Sequence, residues 1–204
     1  MVYGCWGDHL GDAWAYSSYC ATRGLIPTCM TKAGSIEQKL IEIQPLLGIT
    51  TGFSHMKPEL YIDEFDAWRM PYRPTVRKWS PNHKRTVAIQ FDGRLHADIK
   101  NPPPEIVDYI RNYLLQNDYT PISVGGAYSL AGCVSILAEA EMFIGVDSGM
   151  SHVAHSVGVP CVIVQNRLDV RPYHTNKEYK LLQCCDVRHE LPRIIQRASN
   201  VQTV

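Results

Sequence analysis

The chain lacks net charge: across its 204 residues, twenty Lys and Arg balance twenty Asp and Glu, and the pI is about 7.1. No global field draws it to nucleic acid or a membrane surface, so any such partner has to be held by a local patch. No apolar run reaches the length of a bilayer span, and the opening MVYGCWGDHLGD has neither the basic nor the apolar region of a signal peptide. A cytoplasmic protein without a membrane span is expected. The seven cysteines form no C-x-x-C pair and have no His at zinc-finger spacing, which argues against a disulfide framework or structural zinc. Reduced thiols are expected instead, with Cys5 and Cys161 packed in apolar runs and the vicinal Cys184-Cys185 left without a role. D-x-D pairs and His clusters at ligand spacing are also missing, so neither metal nor cofactor is expected. With 45% hydrophobic and 20% charged residues, the composition is that of a folded globular protein of one large or two small domains.

The periodicity describes a run of strands and helices. VYGCW reads as a short buried strand, followed by a loop bearing Gly7-Asp8-His9-Leu10-Gly11-Asp12 and a helix closed by Gly24. LIPTCMT is a second strand, with Pro27 placing it near an edge or starting it late. A helix capped by Ser35 and a third strand, ITTGF, complete a β-α-β-α-β half. Prolines then accumulate from Ser54 to Arg85, and the domain boundary is placed here, giving domains 1–80 and 81–204. Arg69, Arg73, Arg77, Lys78, Lys84 and Arg85, interleaved with Tyr72 and Trp79, form a basic stretch suited either to a solvated face or to an anionic ligand. Beyond it, RTVAIQF, YTPISVGG, MFIGV and PCVIVQN read as strands. PPEIVDYIRNYLLQN, SLAGCVSILAEA, SHVAHSVG and HELPRIIQRASN read as helices, with Ile106, Ile110 and Leu114 on one face of the first. Strict strand-helix alternation implies α/β architecture with a parallel sheet.

The sharpest chemical signal is MFIGVDSGMSHVAHSVGVP, residues 142–160. A buried strand ends at Asp147, a small-residue turn Ser148-Gly149-Met150 follows, and a helix is expected to begin near Ser151. Such a strand-to-helix turn at the carboxyl end of a parallel sheet offers backbone N–H groups and a positive dipole end to an anion. Asp147 or Ser148 could equally cap the helix, and His152 could be a core histidine.

This stretch resembles the donor-site signature of glycosyltransferase family 9, the heptosyltransferase-like enzymes. The match runs through Ile144, Gly145, Asp147, Ser148, Gly149, His152, Val153, Ala154, Gly158 and Pro160. Weaker matches are Gly11-Asp12 at the start of the first helix, and Lys100 with Pro102 in the stretch after RTVAIQF, where Arg94 also lies. The resemblance implies a reduced GT-B type fold, two small Rossmann-like α/β domains facing a cleft. It implies a metal-independent, inverting glycosyltransferase using a nucleotide-sugar donor. Asp12 would be the base, with Asp147, Ser148, Gly149, Met150, Ser151, His152, Lys100 and Arg94 around the donor phosphates, and Asp8, His9, Arg73 and Arg77 on the acceptor side. Domain 1–80 would be the acceptor side and 81–204 the donor side.

Two departures from the family pattern bear on specificity. No additional helix fits after Val124-Gly125-Gly126, and the loop after Val164 reads QNRLDVRPYH, with Pro172 but without the usual opening. Sugar, nucleotide and acceptor stay open: a saccharide, another anionic acceptor, or modified DNA. A nucleotide-sugar hydrolase or epimerase, and a non-catalytic nucleotide-binding scaffold, are the alternative functions.

Overall fold

The computed structural model describes residues 28–31, 50–53, 79–82, 85–93, 97–166 and 179–201. The expected opening strand and helix, the helix after Ser35, and Arg69 through Lys78 with Lys84 lie outside these residues.

Strands β1 (Thr28–Thr31) and β2 (Thr50–Phe53) pair in parallel, Thr28 opposite Thr50 and Thr31 opposite Phe53. Parallel pairing fits the β-α-β reading of this half, because a hairpin cannot join parallel neighbours.

The second sheet has five strands: β3 (Thr86–Gln90), β4 (Thr120–Ser123), β5 (Met142–Gly145), β6 (Cys161–Gln165) and β7 (Tyr179–Gln183). They lie in the order β4-β3-β5-β6-β7, and every pairing is parallel. The helices are α1 (Ala97–Lys100), α2 (Pro104–Gln116), α3 (Leu130–Glu139), α4 (Gly149–Val157) and α5 (Val187–Val201). From β3 the chain moves outward to β4, whereas from β5 it moves the other way to β6 and β7. The carboxyl ends of β3 and β5 therefore flank the point at which the winding reverses, where open α/β sheets bind ligands.

Alternation along the strands builds a core on each face. Val87, Ile89, Met142, Ile144, Val162 and Val164 join Ile106, Ile110 and Leu114 of α2 and Leu191 and Ile195 of α5. Ala88, Phe143, Cys161 and Ile163 join Cys133, Val134 and Leu137 of α3 and Val153, Ala154 and Val157 of α4. The expected face of α2 is the buried one. Cys161 packs as expected, and the described cysteines Cys133, Cys161, Cys184 and Cys185 form no disulfide among the described residues.

Several local expectations need correction. Helix α4 begins at Gly149, two residues before Ser151, and α5 begins at Val187. Strand β7 was not anticipated: its adjacent Leu181 and Leu182 serve opposite cores, and Lys180 at the sheet edge pairs with Glu190 of α5 at 3.0 Å. β7 pairs in parallel with β6, and residues 167–178 between them lie outside the described residues. Two aromatic and basic residues of the proline-rich stretch are structural. The Trp79 indole donates to Ala140 O at 2.8 Å, and its ring packs against the α3-α4 core. Arg85 donates to Asn117 O at 2.8 Å and lies over the Tyr119 ring.

Candidate functional site

The site is assembled by backbone constraints at the reversal point. Gly145 ends β5, and a Cβ there would come within 2.5 Å of both Gln90 O and the Phe143 ring, so only glycine lets the two central strands close up. Val146 N–H donates to Gln90 O at 2.9 Å, carrying the pairing past the strand end. The chain then turns through Asp147 and Ser148 into α4.

Four sets of contacts hold this region together. The buried Asp147 carboxylate pairs with Lys100 Nζ at 3.0 Å, which places the last residue of α1 across the crevice from the turn. Ser148 is the helix cap residue; its hydroxyl donates to Gln90 Oε1 at 2.8 Å, and its amide donates to Ser151 Oγ at 3.1 Å. Asn101 holds the loop after β3 by accepting from Gly93 N–H at 2.9 Å and donating to Gly93 O at 3.2 Å. Asn166, just past β6, donates to Asp98 O of α1 at 3.4 Å.

The first turn of α4 shows which N–H groups remain for a ligand. Ser148 N–H goes to Ser151, and Ser151 N–H returns to Ser148 O at 3.0 Å. Among the described residues, the amides of Gly149 and Met150 find no acceptor. Two amides thus remain open, at the positive end of a nine-residue helix whose preceding turn holds the Lys100 ammonium through Asp147. Asp147 is an anchor for Lys100 rather than a helix cap, and a carboxylate in that position would repel a phosphate. His152, one turn in, is buried. Burial holds its imidazole down at about 4, against the opposing pull of Asp147 and with help from His155 and Lys100, so it is neutral at pH 7.

Of the residues singled out by sequence, Lys100, Asp147, Ser148, Gly149, Met150, Ser151 and His152 are brought together. Arg94, Asp8, His9, Asp12, Arg73 and Arg77 lie outside the described residues. Sequence reasoning missed Gln90, Asn101 and Asn166. A polar residue closing an apolar strand, as Gln90 closes RTVAIQ, was the available signal.

Among the described residues, no group of three or more His, Cys, Asp or Glu could hold a metal ion. No described helix is long and apolar enough to cross a membrane.

Residues 104–181 match the sequence profile of Glycosyltransferase family 9 (heptosyltransferase). No curated protein sequence matches the chain. Among solved structures, the chain is similar to the iron-containing dodecameric glycosyltransferase TibC from enterotoxigenic E. coli H10407, with a TM-score of 0.58 and 16% identity over 84% of this chain and 60% of that one. TibC in complex with ADP-D-beta-D-heptose gives a TM-score of 0.56 at the same identity and coverage. E. coli heptosyltransferase WaaC with ADP-2-deoxy-2-fluoro heptose gives 0.48, with 13% identity over 90% of this chain and 70% of that one. The chain thus spans about 60% of the length of TibC. The α/β fold class expected from the sequence is shown, and the resemblance carried by residues 144–160 is shown to be one to glycosyltransferase family 9.

Proposed function

We propose that the protein is a glycosyltransferase that moves a sugar from a nucleoside-diphosphate donor to an acceptor hydroxyl, with inversion at the anomeric carbon. The observation that carries this reading is the pairing of two open amides, Gly149 and Met150, with the anchored Lys100 ammonium at the reversal point of a parallel sheet. A diphosphate leaving group develops negative charge as the glycosidic bond breaks, and fixed donors aimed at that charge lower the barrier without reorganising. Asp147 keeps Lys100 in place, and the neutral His152 braces the turn from beneath. Arg94, which follows Gly93 in sequence, is the second cation this reading assigns to the donor phosphates.

The acceptor hydroxyl loses its proton to Asp12 as its oxygen bonds to the anomeric carbon, and the nucleoside diphosphate departs from the opposite face. Domain 1–80 supplies Asp12, with Asp8, His9, Arg73 and Arg77 beside the acceptor, and domain 81–204 holds the donor. Leaving-group charge is carried by amides and cations, so the reaction runs without a metal. The TibC complex supports an adenosine diphosphate-linked heptose as the first donor to test.

The test is a thermal-shift titration of the full chain with ADP, UDP, GDP and ADP-heptose, followed by mass analysis of reactions containing candidate saccharide acceptors. A diphosphate bound only by the folded state raises the melting temperature, and transfer adds one sugar mass to the acceptor. Donor consumed to free sugar alone would establish a hydrolase instead, and no shift with any nucleotide would remove the donor site. An Asp12→Asn variant that binds donor and folds normally should turn over at least about a hundredfold more slowly.

A further inference from the structure

Gln165 is the last residue of β6, and it is 3% exposed among a strand of otherwise apolar residues, Cys161 to Val164. Its side-chain carbonyl, Oε1, is buried and finds no hydrogen-bond partner among the described residues. A leucine or methionine would occupy such a position without that penalty, because a buried carbonyl with no donor has lost its water and gained nothing in return.

Three observations locate the amide. In the sheet register Gly145 lies opposite Ile163, so two residues further along Gln165 is level with Asp147. Strand alternation puts Gln165 on the same face as Cys161 and Ile163, the face covered by α4, whose first turn carries the open Gly149 and Met150 amides. The next residue, Asn166, is tied to α1, the helix that brings Lys100 to Asp147, and Cys184 N–H holds Gln165 O at 2.9 Å. The backbone at this strand end is thus held on both sides.

We propose that Gln165 is a specificity-determining residue of the donor site, whose carbonyl accepts a hydrogen bond from a hydroxyl of the donor's sugar. The unmet group is an acceptor, so it calls for a donor hydrogen. Diphosphate oxygens have none at neutral pH, whereas the sugar joined to the terminal phosphate through its anomeric carbon presents several hydroxyls on the carbons beyond it. The proposal rests on the donor-site reading above. It goes beyond that reading in assigning the sugar's recognition to the end of β6, next to the loop where the sequence departs from the family pattern.

The experiment is calorimetric titration of the full chain with ADP and with ADP-heptose, for the unchanged protein and for Gln165→Leu, with Gln165→Met as the second variant should Leu fail to fold. We expect ADP affinity within twofold of the unchanged protein, a roughly five- to tenfold loss of the additional affinity conferred by the heptose, and an unliganded melting temperature that does not fall. An unchanged preference for ADP-heptose over ADP would overturn the assignment and leave the donor site standing. Equal weakening of both ligands together with a lower melting temperature would overturn it in favour of a packing role. Failure of the unchanged protein to bind either ligand would overturn this assignment and the donor-site reading together.

Discussion

The two edges of the five-stranded sheet are built to opposite specifications. At the amino edge, the chain entering β3 is stitched to the helix ends: Trp79 N–H donates to Val157 O at 3.0 Å, the Trp79 indole to Ala140 O, and Ser80 N–H to Ala138 O at 2.9 Å. Arg85, in the left-handed region with φ of 63°, has its amide taken by the buried Glu141 carboxylate at 2.6 Å. At the carboxyl edge, among the described residues, the Gly149 and Met150 amides and the buried Gln165 carbonyl find no partner. On the donor-site reading proposed above, polar groups are satisfied where the edge only has to hold, and left waiting where the diphosphate and sugar would dock. The same backbone chemistry therefore reads as stability on one side and as binding on the other.

The sharpest way to break this contrast is to damage each edge and look for the other's symptom. Gly149→Val adds a side chain at the first position of α4 and should weaken nucleoside diphosphate binding by about a hundredfold or more, with little change in melting temperature. Trp79→Ala removes a half-buried ring and two kinds of contact from the amino edge, and should cost roughly 2–4 kcal/mol in urea unfolding while leaving diphosphate affinity unchanged. Crossed results, with Gly149→Val unfolding the protein or Trp79→Ala abolishing binding, would remove the distinction.

Lys100→Met belongs to both categories, because it withdraws a cation from the ligand and leaves the buried Asp147 carboxylate alone. We expect about a tenfold loss of diphosphate affinity and roughly 1–3 kcal/mol of stability, less than for a fully buried pair because Lys100 is 22% exposed. If Asp147 serves chiefly to anchor Lys100, adding Asp147→Asn to Lys100→Met should recover much of the lost stability without recovering affinity. Additive losses in the double variant would refute the anchoring role.

A smaller effect should appear in the pH dependence. His152 is held at about 4 in the folded protein and titrates near 6.5 when unfolded, so between these values the unfolded chain binds more protons. Stability from this group is complete above about pH 6.5, declines as pH falls toward 4, and levels off below, with a slope of at most about 1.4 kcal/mol per pH unit. A His152→Gln variant should lose that portion of the slope in urea melts at pH 4 to 7. Retention of the full slope would move the titration to other groups.

How much of this was legible depended on how far each interaction reaches. β3, β5 and β6 were readable because each is a short, nearly continuous apolar run, as strands covered on both faces must be. The face of α2 was readable because Ile106, Ile110 and Leu114 recur at helical spacing. The turn after β5 was readable from its residue types. The partners within the site were not: Gln90 meets Ser148 across 58 positions, and Lys100 meets Asp147 across 47, distances at which no local pattern survives. β7 escaped because Tyr-Lys-Leu-Leu-Gln has neither alternation nor helical period. Its leucines make sense only once the two cores they serve are known. The orphaned carbonyl of Gln165 was equally invisible, since a glutamine after four apolar residues reads as the strand's exit to solvent.

The smallest effect concerns a polar group on the carboxyl side that the protein does satisfy, and it serves as the control for the contrast between edges. Pro192 lies inside α5 and has no N–H, so the carbonyl of Arg188, four residues earlier, lacks its helical donor. Tyr109 of α2 supplies one: its hydroxyl donates to Arg188 O at 3.2 Å, while the Arg188 guanidinium lies over the Tyr109 ring at 4.8 Å. The contact is at the surface, so water can replace the hydroxyl, and Tyr109→Phe should cost no more than about 1 kcal/mol. Pro192→Ala returns the missing N–H to the helix, and in that background Tyr109→Phe should cost still less. A double-mutant cycle by urea unfolding reads the difference directly. Neither variant should alter diphosphate affinity, because this carbonyl is already paired by the fold. A change in affinity with Tyr109→Phe would mean that partnered groups at the carboxyl edge also take part in binding, and the distinction drawn between satisfied and waiting groups would fail there.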